Sequence, residues 1–231
     1  FTKIFLETFE KASKNSIDNN LNSFKIKELP EKLTSCAGIA FVKDGYPFSR
    51  AYELAESLCR HTKDIAKASE KQDKGFVPSG FTFYKVSTNI AGDYNAIKET
   101  ELASKDGISL CFGPYGVGKH ASKLPSFDNL DELSKTLNKE GMPTGSIRKL
   151  ITTLYSSSVN AKADFERILQ VLNGKGKEKI AGDLKSQLVN LTDDKNEPLW
   201  STDKSAPFLR RSPLLDAQRL CELSLKTGGV I

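Results

Sequence analysis

The sequence is poor in the residue types that build metal and redox sites. Four cysteines lie far apart, no two of them form a Cys-x-x-Cys pair, and only two histidines accompany them. A structural zinc site takes four closely spaced Cys and His ligands, so we expect no such site. Well-separated cysteines are instead typical of the reduced, mostly buried thiols of a cytoplasmic protein.

Long apolar runs are also missing. A membrane-spanning helix needs about 20 consecutive apolar residues, and no stretch approaches that length. No signal peptide is visible either. The 231 residues are 38% hydrophobic and 27% charged, which is ordinary for a globular protein of one large or two small domains. The net charge of +5 suits a protein that meets nucleotides or RNA.

No arrangement typical of a catalytic centre stands in the sequence. We find no nucleophile elbow, no Ser/His/Asp set and no Cys/His set. Paired carboxylates at a strand end are missing too, because Asp44 belongs to an Asp-Gly turn pair and Asp93 has no acidic neighbour. We therefore expect these residues alone to be inert, with no catalytic and no metal-binding residue among them.

The most informative stretch joins an apolar segment to a long amphipathic one. Residues Leu33–Val42 are β-branched, apolar and aromatic, which predicts a buried central strand. After a turn, apolar residues recur at helical spacing from Phe48 to Ala68. Gly38 lies inside the strand, where glycine marks close approach by another backbone or by a ligand. Both interpretations of Gly38, helix packing and ligand approach, stay open.

The predicted helix carries a stripe of cations. Arg60, Lys63 and Lys67 stand at positions i, i+3 and i+7, so they share one face. Such a stripe is usually a solvated surface. The alternative is a phosphate clamp, in which cationic side chains hold a triphosphate beside the sheet.

These segments resemble the nucleotidyl-cyclase palm superfamily. The segment Cys36-Ala37-Gly38-Ile39-Ala40 and a helix carrying His61-Thr62-Lys63 are similar to diguanylate cyclases, which have a Ser-x-Gly-Ile-Ala strand and an Ala-Lys that touches the triphosphate. The polymerase-like large subunit of type III CRISPR effector complexes is closer, because its strand precedes a Tyr-Pro loop, here Tyr46-Pro47. Cys36 replaces the usual serine and Thr62 the usual alanine. The resemblance covers about the first half of the chain.

The resemblance implies a nucleotide site made by Cys36, Gly38, Lys63 and Lys67. It further implies a nucleotidyltransferase that makes cyclic oligoadenylate messengers from ATP, with Mg²⁺ or Mn²⁺, in antiviral defence. In that family, carboxylates of a Gly-Gly-Asp-Asp hairpin hold the metal ions directly before the helix that Phe1 begins here. We therefore expect the polypeptide to continue upstream of Phe1 and the metal ligands to lie there.

Two alternatives to an active enzyme stay open. In the first alternative, the palm is a catalytically inactive scaffold of an RNA-guided complex, with protein subunits and guide and target RNA as partners. In the second, the segment is not a palm but an unrelated α/β domain. The residues before Phe1 discriminate them, since an intact Gly-Gly-Asp-Asp favours the enzyme.

A second motif, at residues 113–119, resembles a phosphate-binding P-loop. The run Gly113-Pro114-Tyr115-Gly116-Val117-Gly118-Lys119 fits the first seven places of a P-loop. However, His120 stands where a Ser or Thr should bind magnesium, and Pro125 falls in the second turn of the helix that should follow. We favour a Gly/Pro-rich linker between two domains and expect Lys119 not to bind phosphate.

Beyond this linker the apolar residues recur at helical spacing. Helices are predicted around residues 130–137, 147–154, 165–172, 180–188 and 213–225. A polar connection, Thr192 to Phe208, holds Trp200, which we expect to anchor packing. The sequence thus predicts an α+β fold. The resemblance implies that residues 1–115 are the C-terminal part of a palm (ferredoxin-like) domain, with a helix, a central strand, a long helix and edge strands. A small all-helical domain is predicted for residues 116–231.

Overall fold

The computed structural model of the chain describes residues 1–21, 30–72, 77–87, 93–118, 124–203 and 206–226. Internal contacts divide the chain into two compact units. The first unit comprises residues 1–94 and 113–126, and the second comprises residues 95–112 and 127–231. Each unit combines helices with a three-stranded sheet, so the fold is α+β, as the sequence predicts. The sequence placed the domain boundary at residue 115, which is not where the contacts divide the chain.

Eight α-helices and six β-strands occur in the described residues. In chain order they are α1 (Thr2–Ser16), β1 (Cys36–Phe41), α2 (Phe48–Gln72), β2 (Gly80–Lys85), α3 (Tyr94–Thr100), β3 (Ile108–Ser109), β4 (Tyr115–Gly116), α4 (Phe127–Leu137), α5 (Thr144–Ser156), α6 (Ser158–Gly174), α7 (Glu178–Thr192), β5 (Ser201–Asp203), β6 (Ala206–Arg211) and α8 (Leu214–Lys226). A π-helical turn, Ile17–Leu21, continues α1.

The first unit is built on a β–α–β crossover. Strands β1 and β2 are parallel, in a register that sets Cys36 opposite Gly80 and Phe41 opposite Lys85. Parallel neighbours need a long crossover, and α2 supplies it. The helix buries one stripe completely, at Leu54, Leu58 and Ala66, as its periodicity predicts.

Strand β1 is not the central strand that the sequence predicts. β4 pairs with β2 in the antiparallel sense, so β2 is central and β1 forms one edge of the described sheet. The first five residues of β2 are buried, whereas every residue of β1 is half-buried. An apolar segment therefore predicted the strand correctly but not its place in the sheet.

Helix α1 forms as predicted, yet its apolar face is not covered. Phe1, Ile4 and Phe5, which recur at helical spacing, are 88%, 67% and 54% exposed in the described structure. The buried residues of α1 are Leu6 and Glu10 instead. The Glu10 carboxylate forms a buried ion pair with Lys32, so a charged contact and one leucine hold this helix.

The second unit contains the predicted helices. Helix α4 packs against α7 and α8, and α5 packs against α6. Their buried faces carry the periodic leucines and isoleucines that predicted them, including Leu130, Ile147 and Leu184. No helix in the described part of the chain combines the length and apolar character needed to cross a membrane.

The sequence predicts a polar connection without helices or strands before α8. The structure instead has two strands there. β5 and β6 are antiparallel, and β3 pairs with the other edge of β6 in the parallel sense, with Ile108 opposite Arg210. The expectation that only helices follow residue 115 is therefore wrong. Trp200 is fully buried, with Lys162 Nζ and the Arg210 guanidinium each 5.3 Å from its ring centroid, which confirms a packing role.

The Gly/Pro-rich stretch is part of the first unit rather than a free linker. Tyr115 and Gly116 form β4, and Tyr115 is only 1% exposed. Lys119 and His120 lie outside the described residues, as does the short strand considered for residues 24–29. The expectation that Lys119 does not bind phosphate stays a prediction.

Candidate nucleotide-binding site

Gly38 is the point at which α2 meets the sheet. A Cβ atom at Gly38 would lie 2.1 Å from the Ala55 carbonyl oxygen and 2.4 Å from the Cys59 backbone nitrogen. Real Cβ atoms do not approach backbone so closely, so only glycine fits. Of the two interpretations of Gly38, the structure shows helix packing: the close neighbour is the backbone of α2. Gly38 therefore bears on a ligand only through where it sets the helix.

Buried hydroxyl groups fix the position of α2 one residue before Lys63. Thr62 is fully buried, and its Oγ1 lies 2.7 Å from Thr82 Oγ1 and 2.9 Å from the Leu58 carbonyl oxygen. The Ala37 carbonyl of β1 is also within reach, at 3.3 Å. Thr62 therefore joins the helix to both parallel strands. The sequence marked it only as a departure from the family's alanine.

The structure brings three of the four predicted site residues to one end of β1. Burial raises the pKa of the Cys36 thiol above its usual range, and the nearby Cys59 thiol raises it further. The positive charges of Lys63 and Lys67 act in the opposite direction. Lys63 directly follows Thr62, whose hydroxyl lies 3.3 Å from the carbonyl oxygen of Ala37, the neighbour of Cys36.

The two lysines differ from the third cation of the predicted stripe. The Arg60 guanidinium lies 3.4 Å from Glu56, one turn earlier on the helix. Lys63 and Lys67 are exposed, and neither forms an ion pair or hydrogen bond with any residue that the structure describes. Their ammonium groups are available to an anion, whereas Arg60 already has a carboxylate partner.

Sequence reasoning missed a serine pair beside these lysines. The Ser35 backbone N–H donates to Ser79 Oγ at 3.1 Å, which ties the residue before β1 to the residue before β2. The Ser35 hydroxyl is buried, and within the described residues it has no hydrogen-bond partner. Ser35 directly precedes Cys36, which replaces the family's serine. A serine hydroxyl is thus present one position earlier, although no sequence motif singles it out.

Asp44 and Asp93, the two carboxylates considered in the sequence analysis, do not form a cluster with other acidic side chains in the described residues. Asp44 precedes Gly45, whose φ of +77° and the Tyr46 N–H···Lys43 O bond show the predicted turn. Asp93 accepts a hydrogen bond from Ser57, whose Oγ also accepts from the Tyr94 backbone N–H at 3.1 Å. No group of three or more His, Cys, Asp or Glu side chains in the described ranges is placed to hold a metal ion. The residues present do not fit Mg²⁺ or Mn²⁺.

A comparison with protein-family models gives no match for this chain, and a comparison with curated proteins gives none either. The palm resemblance therefore rests on the residues already named.

Proposed function

We propose that the first unit is the triphosphate-binding part of a palm-type nucleotidyltransferase that uses ATP. Lys63 and Lys67 contact the β- and γ-phosphates at the Cys36 end of β1. On the family resemblance alone, the proposal extends to a cyclic oligoadenylate synthase of type III CRISPR-like antiviral defence. Such an enzyme acts with other protein subunits and RNA.

The observation that carries the proposal is the pair of unpartnered lysines beside a fixed strand end. An exposed lysine ordinarily gains little from its position, and many find a carboxylate one turn away. Here two ammonium groups one turn apart lie near Cys36 with no anionic partner among the described residues. Two adjacent cations favour a ligand with two adjacent anionic groups, such as the terminal phosphates of ATP.

The rigid mounting of α2 supports a phosphate-binding role. Sites on packed helices hold their groups more precisely than sites on loops. The Gly38 contact and the Thr62–Thr82 hydrogen bond fix the helix against the sheet at the level of Lys63. The lysine stems therefore start from a defined point, which lowers the entropic cost of ordering them around a phosphate.

The metal ions in this proposal need ligands from outside the described residues. Divalent metals in a palm align a 3′-hydroxyl with an α-phosphate and take carboxylate ligands. The described residues bring no such set together. The second edge of β1 carries no strand in the described sheet, so an additional hairpin would pair at that edge. A hairpin without carboxylates would give the inactive scaffold instead.

The test replaces Lys63 by alanine in the intact protein. A charge-assisted phosphate contact contributes on the order of 1.5–3 kcal/mol. ATP affinity and product formation should therefore fall roughly 10- to 150-fold. The melting temperature should hold, because an exposed lysine adds little stability. Isothermal titration measures the ATP affinity, a product assay measures product formation, and a thermal melt measures the melting temperature.

Lys43→Ala is the matched control. Lys43 is also exposed, but it follows the opposite end of β1, away from the Cys36 end. We expect this variant to bind ATP like the wild type. Equal affinity of wild type and Lys63→Ala would show that the lysine stripe is only a solvated surface. If the wild-type protein binds ATP through Lys63 but forms no product, the result would favour the catalytically inactive palm.

A further inference from the structure

Two of the four cysteines are brought together across the contact between α2 and β1. Cys36 is the first residue of β1, and Cys59 lies in the middle of α2. The Cys59 thiol donates to the Cys36 carbonyl oxygen at 3.4 Å. Both residues are half-buried and neither is in a disulfide. The sequence, in which they stand 23 positions apart, gave no sign that they meet.

The side chains of this pair face one another because of the strand geometry. Residues at i and i+2 of a strand point to the same face. Gly38 faces α2, since its missing Cβ would meet Ala55, Leu58 and Cys59. Cys36 therefore faces α2 as well, next to Cys59. A disulfide needs Cα atoms about 4.4–6.8 Å apart, and the contact that favours one is that of the Cys59 sulfur, 3.4 Å from the carbonyl oxygen of Cys36.

We propose that Cys36 and Cys59 are a reversible oxidation site, at which peroxide joins β1 to α2 through a disulfide. The inference does not rest on the proposed nucleotide site, because it uses only the strand–helix contact. In the first step one thiolate attacks hydrogen peroxide and the O–O bond breaks, giving a sulfenic acid and hydroxide, which takes up the proton that the thiol had lost and becomes water. The second thiol then displaces water from the sulfenic sulfur, and the S–S bond forms. The two sulfurs together lose two electrons, and the peroxide is reduced to two molecules of water.

The surroundings of Cys36 set how fast this reaction proceeds. The reactive species is the thiolate, and burial holds the pKa of Cys36 above its usual range. The Gly80 backbone N–H and the charges of Lys63 and Lys67 partly offset that effect. The thiolate fraction thus rises as the pH is raised. We expect cross-linking to be slow at neutral pH and faster in mildly alkaline buffer.

The experiment oxidises the full chain with hydrogen peroxide and maps its thiols. Remaining thiols are blocked with N-ethylmaleimide, and the protein is digested without reductant and analysed by mass spectrometry. We expect a cross-linked peptide pair containing Cys36 and Cys59, lighter than the two separate peptides by two hydrogen atoms. Dithiothreitol should remove it. The oxidised protein should melt at a higher temperature than the reduced protein, because the bond closes a loop in the unfolded chain.

Single substitutions give the specificity of the test. Cys36→Ser and Cys59→Ser should each abolish the cross-linked peptide and the rise in melting temperature. Cys221→Ser is the matched control, since Cys221 is also half-buried but lies on α8 in the second unit, and it should leave both unchanged. Oxidation of Cys36 to a sulfinic acid without a Cys36–Cys59 peptide would overturn the inference. So would full maleimide labelling of both cysteines after peroxide treatment.

Discussion

Two glycines, one in each unit, have opposite surroundings. In the first unit, Gly38 lets a helix backbone touch a strand backbone, and two lysines beyond it lack partners among the described residues. In the second unit, Gly182 lies on α7 with nothing within 4 Å of where its Cβ would be. Several helix lysines there are paired, such as Lys149 with Asp164 at 2.9 Å. The difference shows that the role of a glycine depends on what packs against it and not on residue type alone.

The largest expected effect comes from filling the space at Gly38. Gly38→Ala places a methyl group 2.1 Å from the Ala55 carbonyl oxygen, and backbone on both sides leaves it no room. We expect a loss of about 3 kcal/mol in the free energy of unfolding, at the upper end for overpacked sites. Urea denaturation measures it. Gly182→Ala is the control, which should gain about 0.5–1 kcal/mol because alanine favours a helix interior. Equal effects of the two variants would remove the distinction between the units.

A smaller effect is expected from Thr62→Val. The substitution keeps the shape of the side chain but leaves the buried Thr82 hydroxyl without its 2.7 Å partner. An unsatisfied buried hydroxyl costs about 1–3 kcal/mol in the free energy of unfolding. Adding Thr82→Val should restore part of that loss, because no polar group is then left unpaired. A double variant that is as unstable as the sum of both single variants would contradict a direct hydroxyl–hydroxyl bond.

The smallest effect concerns an exposed ion pair of the second unit. Lys149, and then the Thr153 hydroxyl, hold the pKa of Asp164 below its ordinary value of 3.8. A depressed carboxylate pKa stabilises the fold above the unfolded pKa, and that stability is lost as the pH falls through the folded pKa. Lys149→Ala should therefore cost about 0.3 kcal/mol near neutral pH, as exposed pairs do. The difference from wild type should vanish in acid. Chemical denaturation at both pH values measures it, and a difference that grows in acid would contradict the assignment.

Much of the fold was predictable from periodicity. Helices α4 to α8, the strand at β1 and the long helix α2 all follow from apolar spacing, because local patterns set local structure. Helix α3 was not predicted, because it lies in a stretch with no clear apolar period. Strands β5 and β6 could not be predicted, since β5 has only three residues, β6 contains Pro207, and β6 pairs with Ile108 and Ser109, about a hundred residues earlier. The edge position of β1 also depends on pairing that its own residues do not encode.

The candidate site was predictable only in part. The stripe of Lys63 and Lys67 was visible from helical spacing. That Arg60 is paired while the other two are not depends on where the Glu56 side chain lies, which spacing alone does not fix. The sequence left two interpretations of Gly38, helix packing and ligand approach, and only the position of α2 distinguishes them. The Cys36–Cys59 contact depends on the same close approach, so no sequence pattern could have shown it.

The central claim is that Lys63 and Lys67 recognise the terminal phosphates of ATP, and comparing ATP with AMP tests it most directly. AMP keeps the base, the ribose and the α-phosphate but lacks the groups that these lysines contact. Titration of the intact protein should give tighter binding of ATP than of AMP for the wild type. In the double variant Lys63→Ala, Lys67→Ala, the two nucleotides should bind with nearly equal affinity. An undiminished preference for ATP in the double variant would contradict the phosphate clamp.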